Sequence, residues 1–451
     1  MKIDRTQRNK IARSLSFSIY DGSFFAMMVG FGESFFAAFG ILLQASNILY
    51  GLLLSLPQAL GSFSQLLSTR IAARFQSRKH FVITGAILQG LMYIPLALLC
   101  LLRLDTVPWL IFIVCCYFIL GSIINPIWNS WMGDLVPEKM RGRYFGKRYA
   151  ITGSMSFFSY ITAGAILQYF SFRGEPRTGF LVIFSLAFIV RMSSIFFLAW
   201  QYEPEGDINE LRQALSKETF TGVLSDKFFH IMLFLVCMNT AVALASPFFV
   251  PYMLKYLQYS YWQFTVVNAT VLLVKFIFMR IWGRLADRYG NRVILVMSSV
   301  LISFAPALWA VSSDFFYLVL IQIYAGITWA AFEITSFNYI FDATSVTNRP
   351  AYVGYYNALN GLGVLAGALT GGVIMHFANF TPHRYLMLFI ISSILRLGTA
   401  IYFLPKIKEL RLAREITMRE FLFKLFTFRT GRGLVYQLFD LNRTNRGLPG
   451  E

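Results

Sequence analysis

The chain has 451 residues, of which 57% are hydrophobic and only 14% charged, and its mean hydropathy is +0.58. An average soluble domain carries about 25% charged residues; here the deficit runs along the whole chain, which excludes a soluble core and indicates a polytopic membrane protein. The formal net charge of +18 does not signal a nucleic-acid partner, because the lysines and arginines gather in loops and tails on one side, where lipid headgroups account for them.

Residues Met1 to Arg13 are basic but lack a cleavage-site pattern, and the first apolar run is too long for a signal peptide, so it reads as a retained first span. Apolar runs long enough to cross a bilayer, about 20 residues, fall near 16–41, 46–68, 81–102, 108–132, 149–171 and 179–200. After a polar break they resume near 229–254, 263–282, 293–312, 315–340, 352–377 and 383–404. The expected fold is an all-α polytopic membrane protein with twelve transmembrane helices in two six-helix bundles. The first bundle covers 1–200, a mixed-charge linker 201–228, the second bundle 229–404 and a basic tail 405–451. Lysines and arginines concentrate at the N-terminus, around Arg70 to Lys79, around Lys139 to Arg148, around Arg284 to Arg292 and in the tail. The other side holds only scattered charges such as Arg103, Arg173 and Lys255. That asymmetry predicts cytoplasmic termini. The tail alternates basic and apolar residues, as an amphipathic helix on an anionic leaflet or a partner-binding helix would. Cys100, Cys115, Cys116 and Cys237 all lie in apolar runs and are expected to be free thiols.

The stretch Gly283-Arg284-Leu285-Ala286-Asp287-Arg288-Tyr289-Gly290-Asn291-Arg292 sits between two apolar runs and reads as a short basic loop. It has an echo 214 positions earlier, Thr69 to Arg78, in which Arg70, Ala72, Arg74 and Arg78 keep register with Arg284, Ala286, Arg288 and Arg292. The echo has lost the acid (Ala73) and the second glycine (Gln76). Two further matches support duplication. Asp134, Arg141, Tyr144 and Gly146 align with Asp342, Arg349, Tyr352 and Gly354 at offset 208, and Arg191 in the sixth run falls on Arg396 in the twelfth at offset 205. Repeats with the same direction and topology are related by an axis along the membrane normal.

Twelve runs, a central linker and the G-x-x-x-D-R-x-G-x-R stretch resemble the major facilitator superfamily over residues 1 to about 404. The resemblance implies an alternating-access transporter, expected as a monomer. It makes Gly283, Asp287, Arg288, Gly290 and Arg292 cytoplasmic gate residues, with Gly283 allowing close helix approach. Arg70, Arg74 and Arg78 are their counterparts. Because the first half lacks the acid at Ala73, Asp134 and Asp342 are candidate substitutes, with Arg141 and Arg349 beside them. Static anchoring of loops is the alternative reading of all twelve.

Ionisable residues inside spans are costly and therefore functional candidates. Glu33 lies in Gly30-Phe31-Gly32-Glu33, where the glycines permit a bend. Glu333 lies in the tenth span, and its repeat partner is Asn125. The resemblance places the first and tenth spans at a central cavity, so Glu33 and Glu333 are the candidate proton or substrate-cation sites, since a carboxyl that titrates inside the membrane suits a proton carrier. A structural hydrogen bond is the alternative for each. Lys275, mid-span, either binds an anionic group, pairs with Glu333 or snorkels. The duplicated Arg191 and Arg396 suggest a shared structural or gate role, with Asp21 or Asp342 as partners. Asn125, Asn129 and Trp329 are at cavity-type positions and, with 17% aromatic residues, suit an amphiphilic organic solute. Gly363, Gly367, Gly371 and Gly372 form a small-residue packing face, which also weakly resembles an antiporter signature and tilts the reading towards export.

No catalytic or metal-binding spacing and no nucleotide-binding loop occurs, so the chain is read as a non-enzyme without cofactor or metal, and uphill transport would draw on an ion gradient. The expectation is a secondary active transporter of a small organic solute in a bacterial inner membrane, with protons and membrane lipids as its other partners. An uncoupled facilitator, an uptake symporter, or a lipid-moving, signalling or enzymatic protein on the same scaffold are the alternatives.

Overall fold

The computed structural model describes residues 5–72, 74–75, 77–137, 140–204, 228–344, 349–378, 383–407 and 409. Most of the expected linker and tail, with the tail's amphipathic helix, lies outside them. The helices are α1 (Arg5–Phe31), α2 (Phe36–Leu42), α3 (Asn47–Ala72), α4 (Arg78–Leu91), α5 (Tyr93–Leu101), α6 (Val107–Leu135), α7 (Arg141–Phe172) and α8 (Pro176–Ala199). They continue with α9 (Phe228–Ala245), α10 (Tyr261–Tyr289), α11 (Asn291–Leu308), α12 (Phe315–Asp342), α13 (Arg349–Phe377) and α14 (Arg384–Phe403).

Eleven helical segments of the described residues are long and apolar enough to cross a membrane. The helix α3, 26 residues long, is not among them, because it carries Ser55, Gln58, Ser64, Gln65 and Ser68. Several of those side chains are spent on neighbouring helices: Ser68 Oγ donates to Ile123 O at 2.5 Å, and Asn357 Nδ2 donates to Gln65 Oε1 at 3.1 Å.

The breaks in the spans have identifiable causes. The α4–α5 kink falls just before Pro95, which removes one backbone donor and crowds the preceding turn. The first span breaks at Gly32, followed by a 3₁₀ turn at Glu33–Phe35. A Cβ on Gly32 would lie 2.7 Å from Tyr93 Cζ, so glycine is needed there. The repeat-related span breaks at the corresponding place: α9 ends at Ala245 and gives way to a 3₁₀ turn at Ser246–Phe248 around Pro247. A π turn at Tyr252–Tyr256 follows.

Packing repeats as the breaks do. In the first bundle α1 packs on α7 and α8, α3 and α4 on α6, and α4 on α8. In the second, α9 packs on α13 and α14, α10 and α11 on α12, and α11 on α14. The seams between bundles are α3–α13 and α7–α10, which exchange under the same repeat relation. At the end away from the Asp287 stretch, one continuous apolar core joins both bundles. The ring contacts Phe35–Phe264 (6.3 Å), Phe180–Tyr261 (5.9 Å) and Tyr50–Phe248 (6.5 Å) cross between them. At the Asp287 end the cores are separate, one in the first bundle and two in the second. The molecule is thus sealed at one end and divided at the other.

The Asp287 stretch is not a loop. The helix α10 runs through Tyr289, and the turn is Gly290 alone, at φ +88°, a conformation in which a Cβ is strained. Likewise Arg70 is inside α3 and Arg148 is two turns inside α7. Hydropathy marks where lipid-facing surface stops, whereas the backbone hydrogen-bond ladder carries the helix on into polar sequence.

Gly363, Gly367 and Gly371 face α9. Added Cβ atoms at Gly367 and Gly371 would fall inside contact distance of the Thr240 and Leu244 carbonyl oxygens, while Gly372 faces Asn47 and Ile48 of α3. Gly371→Val is therefore expected to cost about 1–3 kcal/mol through overpacking, read as a lower melting temperature of the purified protein; an unchanged value would mean the helices are not held at this spacing. All four cysteines are free.

Candidate functional site

The first bundle encloses a cavity of about 550 Å³ lined by residues of α1, α4, α6, α7 and α8. Two buried arginines organise its polar side. Arg191 of α8 donates from Nη2 to Gln89 Oε1 (2.8 Å) and from Nη1 to Ser194 Oγ (3.2 Å), and Ser194 Oγ in turn donates to Asp21 Oδ1 (2.7 Å). Arg148 of α7 donates from Nε to Ser18 O (3.2 Å), and its guanidinium lies 4.5 Å over the Trp128 ring. Both arginines act electrostatically on Asp21. Close approach of α1 makes this arrangement possible: a Cβ at Gly22 would lie 2.5 Å from Arg148 Nη2.

Glu33 lines the same cavity at the break in the first span and accepts a hydrogen bond from Tyr117 Oη at 2.8 Å. Asn125 and Asn129 line it too, joined by Asn129 Nδ2 donating to Asn125 Oδ1 at 3.1 Å. The cavity therefore offers two carboxyl groups, two guanidinium groups, amides and aromatic faces. It can orient a polar organic solute and hold a proton next to it.

Glu333 and Lys275 are elsewhere. Lys275 Nζ donates to Glu333 Oε1 at 3.0 Å between α10 and α12, with side chains 33% and 41% exposed. Of the three sequence readings of Lys275, the pair with Glu333 is the arrangement present. Trp329 is also in the second bundle, edge-on to Phe332 at 5.7 Å. The six expected cavity residues thus divide, with Glu33, Asn125 and Asn129 on one cavity and Glu333, Lys275 and Trp329 outside it.

At the divided end, two charge clamps occupy repeat-related positions. In the first bundle Arg78 Nη1 is 2.6 Å from Asp134 Oδ2, Nε is 3.8 Å from Glu203 Oε1, and Nη2 donates to Pro204 O at 3.3 Å. In the second, the Arg292 backbone N donates to Glu409 Oε2 (2.8 Å), its Nε donates to Ile407 O (2.7 Å), and Asn291 Nδ2 donates to Asp342 Oδ2 (2.8 Å). Each clamp ties the start of one helix to the end of another and to the segment after the last span of its bundle. Asp134 does supply a carboxylate that Ala73 cannot, though to Arg78.

The other expected gate residues stand apart from these two clamps. Arg141 caps the end of α6, donating to Gly133 O (2.8 Å) and Val136 O (3.3 Å), a local anchor. Asp287 and Arg288 form the last turn of α10, where the Arg288 guanidinium lies 5.3 Å from the Tyr289 ring. Arg70 and Arg74 are exposed. Arg349 begins α13, and its side chain lies outside the described residues. Gly283 does not enforce close packing here, since an added Cβ would meet only Ile334 Cγ1 at 4.0 Å. Arg191 has Asp21 in its network, but Arg396 does not match it. Arg396 is buried on Ser392 Oγ and Ile302 O, each at 3.2 Å, with no acid beside it among the described residues.

Glu203, Glu409, Arg148 and Gln89 were not singled out from the sequence. Glu203 and Glu409 carry a readable signal, an offset of 206 beside the 205 of the spans before them. Arg148 was read as a loop cation because the apolar run starts one residue after it.

Two related bundles of apolar helices, sealed together at one end and divided at the other, with a charged cavity inside the first, have the architecture of a membrane transporter. The family model of the Major Facilitator Superfamily matches residues 15–265 and 229–435, and the chain belongs to that superfamily; it is an integral, multi-pass membrane protein. Among curated relatives, the class B tetracycline resistance protein of Escherichia coli is 30% identical over 158 residues, 35% of this chain and 38% of the relative. The class H protein of Pasteurella multocida is 29% identical over 141 residues, 31% of this chain and 34% of the relative. The matches thus span little more than a third of those relatives' length. Among solved structures, the nucleoside transporter NupG aligns with TM-score 0.63 at 13% identity, covering 89% of this chain and all of that one. A D-xylose-proton symporter aligns with TM-score 0.65 at 11% identity, covering 90% and 99%. These two likenesses concern the fold.

Proposed function

We propose that the chain is a secondary active transporter of a small organic solute, working by alternating access as its two bundles rock about the α3–α13 and α7–α10 seams, coupled to protons through Glu33 and directed towards export. The observation that carries the coupling is the position of Glu33. It lies at a helix break, on the wall of the polar cavity and hydrogen-bonded to Tyr117, whereas the matching break in α9 holds Ser246 and Pro247 and no acid. Glu333 is the weaker candidate because Lys275 already compensates its charge. Relatives named for tetracycline resistance favour export, and bacterial relatives favour the inner membrane of a bacterium. The proton symporter of the same fold favours uptake as the second reading.

The test uses the full chain in proteoliposomes with an imposed pH gradient and a library of organic cations, zwitterions, sugars and nucleosides. Glu33→Gln is expected to retain solute binding, read as thermal stabilisation, and downhill exchange, but to lose gradient-driven accumulation. Glu333→Gln is expected to retain all three. Gradient-driven accumulation by Glu33→Gln at the wild-type level would remove Glu33 from coupling.

A further inference from the structure

A second cleft, of about 610 Å³, opens at the divided end of the first bundle, away from the transport cavity. Its walls are the first turns of α1, the start of α4 and the segment following α8. Three of its lining residues are basic, Lys10, Arg13 and Lys79, and the His80 imidazole lies beside them. One is acidic, Glu203. That carboxylate is already committed, since Glu203 accepts from Ser77 Oγ and from the Lys79 backbone N at 3.3 Å, and it faces Arg78. Lys79 Nζ uses one donor on Gln201 O at 2.9 Å, and an ammonium has two more. The cleft therefore keeps excess positive charge and spare donors.

Below the cations lies an apolar strip. Trp200 lines the cleft edge-on to Phe17 at 5.7 Å, and Phe197 stacks on Phe24 at 5.5 Å and lies against Tyr20 at 5.3 Å. Tyr20, Phe196 and Trp200 are each more than half exposed (52%, 56% and 54%). Tyr20 follows Arg13 by seven residues, about 10 Å along the helix. A compact soluble anion needs the cations and has no use for the strip, whereas an amphiphile with an anionic head uses both, and tryptophan at this level is the usual headgroup-depth anchor.

We propose that this cleft is a binding site for an anionic phospholipid, its phosphate held by Lys10, Arg13, Lys79 and His80 and its acyl chains lying along Trp200, Phe196 and Tyr20. The site adjoins the Arg78–Glu203 clamp without using its carboxylate, so occupancy and the clamp coexist.

The test is lipid-dependent thermal stabilisation of the full chain in neutral detergent, titrated with phosphatidylglycerol, phosphatidylcholine or glycerol 3-phosphate. Phosphatidylglycerol is expected to bind at least about tenfold more tightly than phosphatidylcholine. Lys10→Gln/Arg13→Gln/Lys79→Gln is expected to bring the two within about twofold of each other, while Arg143→Gln/Lys147→Gln, at exposed basic positions outside the cleft, keeps the wild-type preference. Trp200→Ala is expected to weaken phosphatidylglycerol while leaving glycerol 3-phosphate unchanged. If the triple variant does not fold, Arg13→Gln alone carries the test, and a preference undiminished in it overturns the site. An equal loss in the Arg143 and Lys147 variant would assign the effect to diffuse surface charge, and stabilisation by glycerol 3-phosphate as strong as by the lipid would assign it to a soluble anion; either overturns the proposal.

Discussion

Arg191→Ala is expected to destabilise the protein by about 3–5 kcal/mol, the cost of breaking a buried charged network by removing one member. Arg191 is 3% exposed and its loss frees Gln89 Oε1, removes a donor from Ser194 Oγ and takes one of two guanidinium charges away from Asp21. Arg148 remains near Asp21 but is held by the Ser18 carbonyl and the Trp128 face, so it cannot move across without losing them. Asp21→Asn removes the opposite charge and is expected to be destabilising too. Asp21→Asn/Arg191→Ala is expected to cost clearly less than the two single changes summed, because neither unpaired charge is left buried. The four proteins form a double-mutant cycle, read by thermal or denaturant unfolding in one detergent. Strict additivity would show that Asp21 and Arg191 do not share a network.

Gly164→Val is expected to change which end of the molecule is closed. A Cβ at Gly164 falls inside contact distance of Thr265 on the α7–α10 seam, and one at Gly51 lies 2.9 Å from Ala368 O on the α3–α13 seam. Both glycines are in the half of the molecule where the bundles share a core. Overpacking a seam costs about 1–3 kcal/mol, and if the other state separates these surfaces the cost falls on this state alone, a population shift of about 5- to 150-fold. Spin labels on Arg103→Cys and Ser313→Cys, exposed positions of opposite bundles at the sealed end, report the separation. The prediction is a longer distance in Gly164→Val and Gly51→Val than in the wild-type background. An unchanged distance with a lower melting temperature would mean the seam simply loosens.

Much of the fold was legible because lipid is a uniform solvent. A span must be apolar for about 20 residues, so the runs were visible, and duplication was visible because the copies kept register at charged positions. The one segment that escapes a hydropathy criterion, α3, carries polar side chains that are buried against α6 and α13. The site was half legible. Glu33, Asn125 and Asn129 meet at one cavity, but Glu333 and Lys275 compensate each other elsewhere. Arg148 went unnoticed as a site residue because a side chain two turns inside a helix and one in a loop look alike at the edge of an apolar run. The acids of the clamps, Glu203 and Glu409, read as ordinary polar residues following a span.

By itself the sequence determined the class of molecule, the spans, the repeat and where ionisable groups interrupt them, because each depends on the local cost of putting a given side chain in hydrocarbon. The tertiary structure decided which of those groups meet. Asp21 and Arg191 are 170 positions apart and share a network; Arg191 and Arg396 are repeat partners, and among the described residues only Arg191 has an acid in reach. Partner choice depends on helix rotation and on approach distance at glycines such as Gly22 and Gly32, quantities set by packing of the whole bundle rather than by any stretch of residues within it.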